Sequence, residues 1–190
     1  MSQSESSYSE QDKQALLKLV RDAIDIGLQT GSEPKVHTHN FATHLQAKRA
    51  TFVTLKMGEQ LRGCIGSLQA TRPLVEDVAY NAWAAAFRDP RFVPVSQAEF
   101  AMIEPHISIL SPPEPMTFKD EADLVSQIRP NVDGLILIDG GSRGTFLPSV
   151  WEQLPDVQSF WSRLKQKAGL PTDHWSSTLR VERYTAESIP

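Results

Sequence analysis

With 190 residues, 40% of them hydrophobic and 22% charged, the chain has the make-up of an ordinary globular protein, enough for one domain or two small halves around a core. A net charge of −4 excludes the general basic character that holds a phosphate backbone, and no apolar run approaches the roughly 18 residues that span a bilayer, so neither nucleic acid nor membrane is expected as a partner. One cysteine permits no internal disulfide, and the Ser/Glu-rich start lacks the basic and apolar regions of a signal peptide, so a cytoplasmic setting is expected.

Residues 1–9 read as a disordered tail ahead of a single domain over 10–190. Ser9 and Asp12 stand in a capping-box relation, and Leu16, Val20, Ala23, Ile24 and Gly27 follow at helical spacing, which predicts a helix from about Glu10 to Thr30. The polar stretch Ser32 to Lys48 holds His37, His39 and His44. It reads as a solvated loop rather than a metal site, since no rigid element or second shell supports the three side chains.

Thr51–Leu55 alternates and is rich in β-formers, Lys56–Gln60 supplies a turn, and Leu61–Leu68 reads as the returning strand of a hairpin. Pro73 opens a helix whose apolar residues from Leu74 to Phe87 run almost all round, which predicts a central helix ended by Asp89-Pro90. Ser96 and Glu99 suggest a capped turn of helix, and His106–Leu110 a strand. Asp120 and Asp123 open a short helix that buries Leu124 and Ile128. Gly134–Ile138 reads as a strand buried on both faces, Asp139–Ser142 as a turn, Arg143–Leu147 as the return, and Asp156 as the cap of a helix running to about Ala168. Leu179–Tyr184 is a last alternating strand.

Each half thus reads hairpin, helix, strand. The expected fold is α+β, a mainly antiparallel sheet with flanking helices, in which two pseudo-repeated β-β-α-β halves, about 49–111 and 132–185, share one core. The halves are marked by a recurring Arg-Gly pair, Arg62-Gly63 and Arg143-Gly144, where the first copy carries Cys64 and the second Thr145.

Several stretches resemble one family: Leu61-Arg62-Gly63-Cys64-Ile65-Gly66, Phe87-Arg88-Asp89-Pro90-Arg91-Phe92, Ile107–Pro113, Val132-Asp133-Gly134-Leu135, Arg143–Pro148 and Val150-Trp151-Glu152-Gln153. Over about Asp12 to Glu187 the chain is similar to the AMMECR domain family, whose microbial members are called AmmeMemoRadiSam system protein A. The resemblance implies an intracellular α+β protein. Through the family's name it implies association with a Memo-type protein and a radical S-adenosylmethionine enzyme. It implies no cofactor and no catalytic residues.

From the residues themselves, strand alternation would place Arg62 and Cys64 on one face, where a guanidinium favours a thiolate, while Gly63 and Gly66 would let a ligand approach the backbone. Cys64 is therefore the candidate nucleophile, with His106 as candidate base; the alternative is a small, inert buried thiol. Arg88, Asp89 and Arg91 read either as a helix stop with a local ion pair or as a carboxylate clamp joined by Arg62 and Arg143. Three functions stay open: a companion that binds a small acidic ligand or a partner enzyme, an enzyme using Cys64 as nucleophile or redox thiol, and a pure interaction scaffold.

Overall fold

The structure, a computed structural model, describes residues 7–190. Of the expected tail, positions 1–6 lie outside the described residues. The Ser7 N–H donates to Glu187 Oε2 at 3.0 Å, and Tyr8 packs against the core.

In chain order the elements are α1 (Glu10–Thr30), β1 (Thr51–Met57), β2 (Gln60–Gly66), α2 (Leu74–Phe87), α3 (Gln97–Phe100), β3 (Glu104–Leu110), β4 (Glu114–Pro115), α4 (Glu121–Gln127), β5 (Gly134–Asp139), β6 (Ser142–Phe146), α5 (Val157–Lys167), β7 (Arg180–Tyr184) and β8 (Ala186–Ile189). Single 3-10 turns lie at Thr38–Asn40, Thr43–Gln46 and Pro148–Glu152. The α1 start forms because Ser9 and Asp12 satisfy each other's end of the helix, and the helix stops at Gly31, whose φ of 68° suits a residue without a Cβ.

The fold is α+β, built on two four-stranded antiparallel sheets ordered β2-β1-β3-β8 and β4-β7-β5-β6. In each, the first strand of a hairpin sits between its hairpin partner and the strand that follows the helix. The short strands β4 and β8 lie outside the sequence expectation, because neither Glu114-Pro115 nor Ala186–Ile189 carries enough alternating apolar residues to signal a strand.

The chain divides into two compact units, one ending at Leu110 and taking back Glu187–Pro190, the other Ser111–Ala186. The buried apolar side chains resolve into two clusters where one shared core was expected. The first gathers α1, α2 and the inner face of β1 and β3. The second gathers α5, Trp151 and the inner face of β5 and β7. Each sheet has its own helices to bury its apolar face, so each builds its own core.

In the first unit a buried polar network docks α2 on β1. Asp77 accepts from the Thr51 N–H at 2.9 Å and hydroxyl at 2.7 Å, and Asn81 donates to the Thr51 carbonyl and to Asp77. Burial pushes the Asp77 carboxyl above its ordinary range, against the Thr51 hydrogen bonds.

Candidate functional site

The Leu61–Gly66 motif lies on β2, an edge strand. Opposite β1, Gly63 pairs with Leu55 and Leu61 with Lys56, so Arg62 has no partner and forms a β-bulge. The bulge breaks the alternation expected from sequence. Leu61 and Cys64 pair with Lys56 and Thr54, two apart on β1, and so share a face, while Arg62 stands between them with 8% of its surface exposed.

Gly63 is required by the helix above it. A Cβ there would lie 2.2 Å from the Ala85 carbonyl oxygen of α2, so the strand and the helix backbone touch directly. At Gly66 a Cβ would meet the Phe52 ring at 2.3 Å and the Thr51 carbonyl oxygen at 2.5 Å. Both glycines are required by internal packing.

An edge strand leaves every second N–H and C=O without a neighbour. At Cys64 these groups are taken up by the loop after α2. Asp89 Oδ2 accepts the Cys64 N–H at 2.9 Å, and Arg91 Nη2 donates to the Cys64 carbonyl at 3.3 Å. The same two side chains pair with each other through Arg91 Nε on Oδ1 at 3.0 Å and Nη2 on Oδ2 at 2.7 Å. This bidentate contact, with the Cys64 and Arg91 amides, holds the buried Asp89 carboxyl well below the usual carboxylate range, and Asp89 raises Arg91 in turn.

Arg62 makes a second such pair. Its Nε and Nη2 donate to the two oxygens of Glu99 at 2.8 and 3.1 Å, and Nη2 also reaches the Val93 carbonyl at 3.0 Å. Glu99 is at the same time the capping-box acid of α3, bonded to the Ser96 N–H and hydroxyl. The Arg62 bonds, ahead of the Ser96 amide, pull its carboxyl down to about 2. Phe92 lies between the two pairs, its ring centre 5.8 Å from the Arg62 guanidinium and 5.5 Å from that of Arg91. Arg88 is exposed, 5.2 Å from the Trp83 ring, and has no carboxylate partner among the described residues. Two of the four arginines expected to clamp an anion, Arg62 and Arg91, are therefore already paired with carboxylates.

The Cys64 side chain lies on the opposite, half-exposed face of the sheet from the α2 contact. It is opposite Thr54 on β1, and Thr54 is opposite His106 on β3, so the three form one row across three strands. The Cys64 backbone points away from β1 to reach Asp89 and Arg91. The Thr54–Cys64 pair is thus the close, non-hydrogen-bonded kind, with Cα atoms about 4.5 Å apart. The Thr54 hydroxyl donates to Cys64 Sγ at 3.2 Å. Two strand spacings separate the Cα atoms of Cys64 and His106 by about 10 Å, with Thr54 between them. All three side chains are half-buried rather than sealed. Thr54 and Glu99 escape a sequence reading, because the bulge hides the hairpin register and Glu99 is explained locally by its cap.

Arg143 lies in the other unit, exposed on β6 opposite Ile138. Its neighbour Gly144 packs as Gly63 does, since a Cβ there would stand 2.8 to 3.0 Å from Ala168 at the end of α5. In the histidine loop, His44 pairs with Asp12 at 2.9 Å and the His37 and His39 rings lie 5.7 Å apart. Among the described residues no three His, Cys, Asp or Glu side chains converge as metal ligands.

The family model AMMECR1 matches residues 17–189. A protein of Methanothermobacter thermautotrophicus is 37% identical over 181 residues, covering 94% of each chain. One from Thermotoga maritima is 40% identical over 142 residues, covering 74% of this chain and 76% of its own. The crystal structure of an uncharacterized protein from Pyrococcus horikoshii matches with a TM-score of 0.81 at 35% identity, over 92% of this chain and 88% of that one.

Proposed function

Taking as premise that the chain belongs to the AMMECR1 family, we propose that it is a binding companion that receives a small ligand or a segment of a partner enzyme over the Thr54–Cys64–His106 row. The pathway this reading places it in, a modification route with Memo-like and radical S-adenosylmethionine proteins, rests on the family's name alone. One observation carries the site. The protein's single thiol is half-exposed, held by a neighbouring hydroxyl, and fixed in place because Asp89 and Arg91 grip its own N–H and C=O. Arg62 and Arg91 act here as positioning residues. Their charge is spent on Glu99 and Asp89, so the guest is recognised by the row itself rather than by an arginine clamp.

The test uses Cys64 as its own reporter. Iodoacetamide should modify the folded protein at a rate within about tenfold of a free thiol. The alkylated chain should lose capture of purified Memo-like and radical-enzyme partners, while Arg143→Ala retains it. A thiol that reacts only on unfolding, or partner capture indifferent to alkylation, would remove this reading.

The hydroxyl contact on Sγ favours one further possibility at the same place, a nucleophilic or redox role for Cys64, with His106 of the same cross-strand row as candidate base. In that case Cys64→Ser retains partner capture and abolishes turnover of the pathway, whereas a purely binding role leaves turnover in place.

A further inference from the structure

Trp83 on α2 keeps only 8% of its surface exposed, and its indole N–H has no partner among the described residues. The other two buried indoles are satisfied. Trp151 donates to the Asp133 carbonyl at 2.8 Å, and Trp161 to Glu121 Oε1 at 2.7 Å. A buried tryptophan ordinarily finds such an acceptor. The sealed side-chain atoms left without a partner are Arg62 Nη1 and Asp77 Oδ1, so the Trp83 nitrogen still touches solvent. A Cβ at Gly27 of α1 would stand 2.9 Å from Trp83 Cδ1, the carbon bonded to that nitrogen. The N–H edge therefore leaves the indole beside the close contact of α1 with α2.

Arg88 brings free donors to the same ring. Its backbone N–H closes α2 on the Ala84 carbonyl at 2.8 Å, and its guanidinium turns back to 5.2 Å from the Trp83 ring centre. The side chain is exposed, and none of its N–H groups meets an acceptor among the described residues. A guanidinium over an aromatic face keeps its in-plane N–H groups directed outward. Tyr80, half-buried one turn before Trp83, extends the aromatic wall. The two rings lie 6.1 Å apart, and the Arg72 guanidinium sits 3.9 Å from the Tyr80 ring centre. Acids nearby do not compete for Arg88. Asp89 is buried and paired with Arg91. Glu76, on the same stripe of α2, lies two turns before Trp83, about 10 Å along the axis.

We propose that Trp83 and Arg88 form a carboxylate-binding site, in which one oxygen takes the indole N–H, the other takes the guanidinium, and the apolar body of the ligand lies against Tyr80. The free groups of Trp83 and Arg88 are all donors, which selects an anion over a cation or a neutral guest. One compensating charge beside one N–H matches a planar monoanion better than a phosphate dianion. The site involves none of Cys64, Thr54 and His106, so its failure leaves the reading of the thiol untouched.

The full-length chain labelled with 15N in its tryptophan indoles tests this, with butyrate as probe and butyramide, its uncharged isostere, as control at matched ionic strength. The Trp83 N–H signal, assigned through Trp83→Phe, should move downfield and saturate with butyrate at concentrations on the order of 10 mM or below. It should respond at least about tenfold more weakly to butyramide, while the signals of Trp151 and Trp161 stay in place. Arg88→Gln, at an exposed position, should weaken butyrate binding about fivefold or more. If Trp83→Phe fails to fold, Arg88→Gln assigns the signal instead, because it removes the cation over that ring. Acetyl-Gly-Glu-Gly amide binding more tightly than butyrate would place the carboxylate on a partner's side chain, and equal or weaker binding would place it on a free small acid. Inorganic phosphate binding more tightly than butyrate, an equal response to butyramide, a Trp83 signal that stays in place, or indifference to Arg88→Gln would overturn the proposal.

Discussion

The Thr54 hydroxyl on Cys64 Sγ is a single hydrogen bond, and its removal is nearly isosteric in Thr54→Val. With about 1 kcal/mol at stake, alkylation of Cys64 at neutral pH should slow about fivefold, measured by mass spectrometry on the folded protein. An unchanged rate would mean that the contact does nothing for the sulfur. Glu99 tests the other side of the cluster. Glu99→Ala leaves the nearly buried Arg62 guanidinium without its counter-charge and removes the α3 cap. Urea unfolding should show a loss of about 3 kcal/mol, well above the cost of removing a surface pair.

The glycines of the two Arg-Gly pairs do their work between elements, at the contact of a strand with a helix. Gly63→Ala drives a methyl into the Ala85 carbonyl of α2, backbone that cannot swing aside. It should cost about 3 kcal/mol. Gly144→Ala meets Ala168 at a longer distance and should cost about 1 to 2 kcal/mol. Gly141, on the β5–β6 turn, has nothing within 4 Å of the added methyl, so Gly141→Ala should be neutral to within about 0.5 kcal/mol. Thermal melts of the three variants check this order, and equal losses at Gly63 and Gly141 would contradict it. At this scale the recurring pair in the sequence gave no hint that its two glycines lie against helices. Nor did it hint that Arg62 and Arg143 part company, one buried in a bulge and the other exposed on a flat strand.

Across the whole molecule the carboxylates set the response to acid. Glu99 and Asp139 are each held at about 2, Glu99 chiefly by Arg62 and Asp139 chiefly by the Thr178 hydroxyl and then His174. Asp89 is held lower still by Arg91. A depressed carboxylate contributes stability that is complete above its unfolded value near 4 and is lost as pH falls through its folded value. The contribution of these three groups should therefore be level from neutrality to about pH 4.5 and drop steeply toward pH 2. Asp77 acts in the opposite sense, since its raised value withdraws stability as pH climbs through it. Urea midpoints across pH 2 to 7 measure the balance. A midpoint unchanged below pH 4, or an Arg62→Met variant with the same acid limb as the parent, would contradict it. The sequence by itself determined the helices, the two hairpins, the α+β class and the family, because these rest on local periodicity, caps and turn residues that act over a few positions. Only the tertiary structure decided that Asp89 and Arg91 serve the backbone of Cys64, that Arg62 belongs to Glu99, and that Thr54 and His106 stand in line with the thiol. Those relations join residues far apart in the chain, and a single bulged residue on β2 shifts which of them face one another.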